Sequence, residues 1–252
     1  MPNPELNHLG RTRSSQQGNH LLLTPDTFVR TPLPGMRHCT AVVHTGTALG
    51  AGFAQYTAEF DGDGELGPTS FERFVYVIEG QLSIELDGKR NVLNSRGYSY
   101  VPQGLPHRVS STKPSRAAVI EKSYAPIEGV RAPSAIISTE DAVSSHPLNG
   151  DPDLQVKCLL PDEPSFDFAV NTMVYQPGAA LSMVEMHVME HGLIMLEGGG
   201  IYRLGDCWYP VTAGDFIWMG PWCPQWFGAI GKAAAKYLIY KDWNRHPLTN
   251  GR

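Results

Sequence analysis

The chain has 252 residues, 42% hydrophobic and 18% charged, enough to bury a core as one broad domain or two smaller ones. Lys plus Arg number 20 against 25 Asp plus Glu, and the net charge of -5 excludes the strongly basic overall surface that grips nucleic acid. No run approaches the roughly 18 apolar residues of a membrane-spanning helix, and 26 Gly with 20 Pro in no collagen-like period indicate many turns between short elements.

Residues 1–20 are polar, lack the apolar core of a secretory signal and read as a mobile arm. An apolar run, Leu21–Leu23, leads into a Pro- and Gly-rich stretch. CTAVVH and GFAQYTAEF then read as strands, and DGDGELG (61–67) as a loop. FERFVYVIEGQLSIELDGKRNVLNSRGYSYVPQGLPHRVSS follows as further strands with a hairpin at Asp87-Gly88, and AAVIEKSY (117–124) as another. Residues 125–155 contain Pro126, Pro133, Pro147 and Pro152 and read as a connector, with a short helix near Glu140–Val143. VKCLLP, the long segment from FDFAV to FGAI, and AAKYLIYKDW form the second half.

The second half repeats the first. Glu79-Gly80 aligns with Glu197-Gly198 and Gly97 with Gly214, a spacing of about 117 residues that is too long for a solenoid unit. The expectation is all-β: two tandem jelly-roll barrels, with residues 1–124 as the first domain and its arm, 125–155 as the connector and 156–252 as the second domain. The four cysteines, Cys39, Cys158, Cys207 and Cys223, are scattered and read as reduced thiols, mostly buried, of a cytosolic protein.

The segment with chemical content is Glu185-Met186-His187-Val188-Met189-Glu190-His191. Strand alternation puts Glu185, His187, Met189 and His191 on one face and Glu190 on the other. A polar face turned into a barrel calls for compensation, and a divalent metal supplies it. The same residues also suit the solvated face of a half-buried strand. No Gly-x-Ser-x-Gly elbow is present, and the GGG at 198–200 lacks the context of a nucleotide fingerprint.

These motifs resemble those of the cupin superfamily, with its double-stranded β-helix fold. Glu185, His191 and Gln225 stand where cupins usually have His, Glu and a distant His. With FVYVIEG, YAPIEG, PGAALSMVEMHVMEHG and GDFIWMG, the chain resembles the bicupin (S)-ureidoglycine aminohydrolases of purine catabolism. The resemblance implies hydrolysis of (S)-ureidoglycine to (S)-ureidoglycolate and ammonia by a cytoplasmic homo-oligomer, with no nucleic-acid or membrane partner. It implies Mn2+ held by Glu185, His187, His191 and Gln225, and substrate contacts from Glu185, Tyr202, Tyr237 and Lys241, with Glu185 and Lys241 catalytic. Lys236 and Arg203 are alternative anion-binding cations, and Trp218, Trp222, Trp226 and Phe227 are candidate walls of the pocket or of an interface. In the first half the matching positions are Gly67, Thr69 and Arg73, with His107 alone echoing the distant ligand, so that domain is expected to be metal-free and structural. Another metal-dependent cupin enzyme, a dioxygenase or an isomerase of small acids or sugars, and a non-catalytic small-acid-binding cupin are the alternative readings.

Overall fold

A computed structural model describes residues 12–245. Among the described residues every regular element is a β-strand except three single-turn 3-10 segments, Pro25–Thr27, Thr47–Leu49 and Glu140–Ala142. All strand pairings are antiparallel. The chain divides into two compact units, one of Val29–Ser144 with Asp162–Asp167, the other of the residues up to Phe28, Ser145–Pro161 and those from Phe168 onward.

The first unit is a ten-stranded sheet. Its pivot is Ala54–Glu65, which pairs with Arg37–Thr45 on one side and Pro114–Lys122 on the other. At its far end the same strand also pairs with His107–Ser111, so the sheet curls into a nearly closed barrel. Alternation sends Tyr56, Ala58 and Phe60 inward with Val75, Val77 and Val119. The Asp87-Gly88 hairpin is present, both residues at positive φ (48° and 73°), as a two-residue type I′ connection requires. The expected loop at 61–67 is largely strand: Gly62 and Asp63 turn to φ 71° and 47° and absorb the kink without ending it.

The second unit packs an eight-stranded sheet against a three-stranded one made of Gly199–Leu204, Cys207–Thr212 and Gln225–Ala229. Leu193, Met195, Ile217 and Ile239 from the larger sheet meet Tyr202, Leu204 and Phe227 from the smaller in one core. Residues 185–191, expected as strand, become regular strand only at His191, with bends at 182–183 and 188–189, and the segment from Ala180 touches the small sheet through isolated bridges at Ala180–Gly228 and Glu185–Gln225. Hydrogen bonding therefore nearly closes the first sheet, while the second unit remains two facing sheets. The repeat is visible in both: Gly80 and Gly198 have φ 82° and 65°, and an added Cβ would lie 2.7 Å from the Pro114 carbonyl or 2.4 Å from that of Ala234.

The expected domain boundaries need correction at three places. The polar arm does not belong to the first unit. His20–Leu23 pairs with Phe216–Met219 of the second unit, Ser15–Gln16 pairs with it in turn, and residues 1–11 lie outside the described residues. The physical reasons are the burial of Leu21 and Leu22 and the bidentate ion pair of Arg13 with the buried Asp215 (2.9 Å for the Nη2–Oδ1 arm). The connector is not one element either. Ile136–Thr139 completes the first sheet against Gly97–Val101, whereas His146–Leu148 and Asp151–Cys158 form a hairpin of the second unit through Asn149-Gly150, at φ 51° and 83°. Residues 162–167 then return to the first unit, where Asp167 takes an ion pair from Lys122 and a 2.8 Å hydrogen bond from the Ala125 amide.

Glu72 in the first unit is fully buried and accepts a 2.7 Å hydrogen bond from the Tyr100 hydroxyl. Burial, and then the neighbouring Asp167 carboxylate, push its carboxyl up to about 9. The folded state thus keeps a proton that the unfolded chain releases above about pH 4.3, so stability falls as pH rises from there to about 9. Glu72→Gln, which keeps the neutral form at every pH, is expected to flatten this part of the curve. Urea unfolding at about pH 6 and pH 9 reads the difference, and equal pH slopes for variant and wild type contradict the assignment.

Candidate active site

The site of the second unit is built around one turn and one backbone pair. Glu185 and Gln225 exchange both main-chain hydrogen bonds, each 2.8 Å, which places their side chains on the same face. The turn Gly220–Pro224 precedes Gln225 and is held from several sides. The Gly220 amide donates to the Asn19 carbonyl (2.9 Å), the Trp222 amide to the His187 carbonyl (2.7 Å), and the Gly205 amide to the Pro224 carbonyl (2.8 Å). Trp222 adopts a left-handed φ of 64° to make this turn and stays 51% exposed. The N-terminal strand, the small sheet and the segment carrying the histidines thus converge on five residues.

His191 begins the strand His191–Glu197 and is registered between Met219 and Lys241. Tyr237 and Lys241 lie four apart on Ala235–Lys241 and share a face, and Tyr202 comes from the small sheet. Glu185, His187, Met189, His191, Tyr202, Gln225, Tyr237 and Lys241 all line one cavity of about 290 Å³. The alternation expected from sequence therefore survives the bends at 188–189. Glu190 points elsewhere, buried and accepting a 3.0 Å hydrogen bond from the Trp218 indole.

Inside the cavity His187 Nε2 lies 3.1 Å from a Glu185 carboxylate oxygen, and the His187 and His191 rings are 5.3 Å apart. The Tyr202 hydroxyl donates to Gln225 Oε1 (3.1 Å), and the Tyr175 and Tyr237 hydroxyls are 2.7 Å apart. Burial, then the charges of Lys241 and His187, hold the His191 imidazole well below its ordinary value, so it is neutral. Burial lowers Lys241 as well, opposed by the Glu185 carboxylate, and burial raises Tyr202 and Tyr237 well above the phenol range.

Among the described residues no three His, Cys, Asp or Glu side chains are gathered into a ready metal cluster. The donor chemistry nevertheless fits a divalent ion. Two imidazoles, one carboxylate and one amide oxygen border the same cavity, and the buried His191 Nδ1 has no hydrogen-bond partner. A buried ring nitrogen without a partner is costly unless something occupies its lone pair or takes its proton.

The first unit carries a different solution at the matching positions. Arg73 is registered opposite Glu121, as His191 is opposite Lys241. Its guanidinium donates to Glu121 Oε1 (2.7 Å) and the Gly67 carbonyl (2.8 Å), and lies 3.2 Å from His107 Nε2. Tyr56 donates a further 3.0 Å hydrogen bond to Glu121. An internal cation thus occupies the place, and Glu72 faces away from Arg73 rather than pairing with it.

Several sequence assignments move. Lys236 lies on the face opposite Tyr237, and Arg203 is bonded to the Gly205 carbonyl and stacked on Trp208, so neither lines the cavity. Nor do Trp218, Trp222, Trp226 or Phe227; the aromatic walls are Tyr202, Tyr237 and Trp243. Tyr175, missed in sequence because its neighbourhood reads as plain strand, stands behind Tyr237. None of the four cysteines is in a disulfide; Cys39 and Cys223 are buried, Cys207 is intermediate and Cys158 exposed.

The cupin domain model matches residues 64–121 and 171–240. The chain is 38% identical over 245 residues to the (S)-ureidoglycine aminohydrolase of Arabidopsis thaliana, covering 95% of this chain and 80% of that protein. It is 32% identical over 237 residues to the (S)-ureidoglycine aminohydrolase of Escherichia coli (strain K12), covering 91% and 90%. The crystal structure of protein Ylba from E. coli superposes with a TM-score of 0.83 at 31% identity, covering 93% of this chain and 96% of that one. The chain belongs to the (S)-ureidoglycine aminohydrolase family of cupin-domain proteins.

Removing Arg73 tests the first unit's internal ion pair. Arg73→Ala deprives the half-buried Glu121 carboxylate of its charged partner, and is expected to cost about 1.5–3 kcal/mol in urea unfolding. Arg73→Ala/Glu121→Ala is expected to recover part of that loss. A single variant as stable as the wild type contradicts the pairing.

Proposed function

We propose that the cavity of the second unit hydrolyses (S)-ureidoglycine to (S)-ureidoglycolate and ammonia, with Mn2+ held by Glu185, His187, His191 and Gln225. The observation that carries this reading is the convergence of that donor set with Lys241, Tyr202 and Tyr237 in one cavity, in a chain aligned over nine-tenths of its length with relatives of that name. The substrate carbon bears an amine, a ureido nitrogen and a carboxylate; water adds its oxygen there and the amine leaves as ammonia. When bound, the ion supplies a Lewis acid that acidifies water and offsets negative charge.

The side chains account for the rest. Lys241 is half-buried with Glu185 as a nearby counter-charge, and a substrate carboxylate supplies a second one at the cavity wall. Tyr202 and Tyr237, both neutral, offer hydroxyls to the polar ends of the substrate. Glu185 is placed to take a proton from the attacking water and to return one to the departing amine, because its carboxylate already borders the reacting volume. Holding carboxylate and ureido ends together presents one face of the carbon to water, and this sets the (S) configuration of the product.

The same reading includes a jelly-roll barrel in each unit, no metal in the first, and a cytoplasmic homo-oligomer with neither nucleic acid nor membrane as partner. Exposed Met183 (67%), Met186 and Trp222 support a contact surface beside the cavity.

Ammonia release from freshly made ureidoglycine, corrected for spontaneous decay, tests the activity, with product chirality measured alongside. A manganese-loaded wild type no faster than buffer overturns the reading. Lys241→Met is expected to lower kcat/KM roughly ten- to a hundredfold, about 1.5–3 kcal/mol, without loss of the ion. His187→Ala is expected to empty the site, while His107→Ala leaves about one equivalent per chain by elemental analysis.

A further inference from the structure

We propose that Tyr175 is a positioning residue for this reaction: it donates its hydroxyl proton to Tyr237 and so leaves the Tyr237 proton for the substrate. The inference rests on the reading of the cavity as the ureidoglycine site. Tyr175 ends the strand Ala169–Tyr175 and is fully buried. Its ring meets Phe227 edge-on at 4.9 Å and Tyr237 at 5.5 Å, and among the described residues its hydroxyl has one hydrogen-bond partner, the Tyr237 hydroxyl at 2.7 Å.

Two phenols share one hydrogen bond and hold two protons. If Tyr237 donated, the Tyr175 proton would need a second acceptor in a pocket walled by Phe227 and the core, and a buried donor left unmet is unfavourable. If Tyr175 donates, the remaining proton is that of Tyr237, which lines the cavity, whereas Tyr175 does not. Access therefore decides the direction. Tyr202 cannot serve the same purpose, because its proton is committed to Gln225 Oε1. Tyr202 orients the amide and keeps only lone pairs for the substrate, so Tyr237 is the phenol left to donate.

The test uses the manganese-loaded full chain and N-carbamoylglycine, which keeps the carboxylate and ureido ends but has no amine to lose. Tyr175→Phe is expected to weaken its binding by calorimetry, and to raise KM for ureidoglycine, each about fivefold, with ion content and melting temperature retained. In a Tyr237→Phe background the further change at 175 is expected to have no effect, because the bond it controls is already gone. Binding by Tyr175→Phe equal to the wild type, or effects that simply add, overturns the proposal while an active wild type leaves the reaction standing. A wild type that neither turns over ureidoglycine nor binds N-carbamoylglycine overturns both. The tyrosine Raman doublet, as wild type minus Tyr237→Phe, should show Tyr237 as an acceptor; a donor-only signature overturns the proposal even where Tyr175→Phe does not fold.

Discussion

The reciprocal main-chain pair of Glu185 and Gln225 is the constraint on which the site depends. Among the described residues the segment from 182 to 190 has no strand neighbours beyond that bridge, and its exposed methionines give it little packing of its own. Two hydrogen bonds of 2.8 Å set the separation of the carboxylate and the amide, and the Trp222–His187 bond sets the histidine two residues on. The turn that presents Gln225 is itself tied to Asn19, so the N-terminal strand is part of the same scaffold. Arg13 clamps that strand to the buried Asp215, which also accepts from the Thr212 amide. Local backbone geometry and a contact 202 residues away in sequence thus meet at one point.

The two units show how a duplicated frame can divide its work. In one, His191 faces a cavity beside a half-buried lysine; in the other, Arg73 sits at the same register and Glu121 replaces the lysine. Placing a cation where the neutral imidazole stands and a carboxylate where the lysine stands turns a site open to ions and anions into one that satisfies itself. A guanidinium with three partners needs no external ligand. Gly67 and Thr69 complete the change, since neither supplies the carboxylate or imidazole found at Glu185 and His187.

Much of this was legible from residue patterns, and the failures have physical causes. The repeat was visible because Glu-Gly turns need glycine at positive φ in both halves, and the cavity-facing set was visible because alternation needs only local extended backbone. The division of the second unit into two sheets was not, since the segment bent at 188–189 is tied by the Trp222 amide to the His187 carbonyl, a long-range contact. Polarity suggested that the arm was free, yet Leu21 and Leu22 cover an edge strand, a tertiary contact that composition does not reveal. Asn149-Gly150 was a hairpin signal hidden within a Pro-rich stretch. The tryptophans do not wall the cavity, because aromatic residues serve burial as readily as binding, and Trp218 spends its indole proton on Glu190.

Charge decides what the cavity can hold. Glu185 is its only carboxylate among the lining residues, and Lys241 already stands across from it. A divalent ion at the donor set leaves the volume with an excess of positive charge, because the imidazoles and the amide are neutral ligands. Burial magnifies that excess by removing the water that would screen it. A neutral small molecule does nothing to relieve it, and a bulky anion does not fit a space of about 290 Å³ lined by Met173, Leu181 and Ile239. A small carboxylate with hydrogen-bonding groups at its other end satisfies both demands. Two phenols that burial keeps protonated can then discriminate by hydrogen bonding without adding a second negative charge, which would compete with the substrate for Lys241. On the proposed reading of the site, that surplus charge selects the ligand, and the neutral tyrosines preserve it.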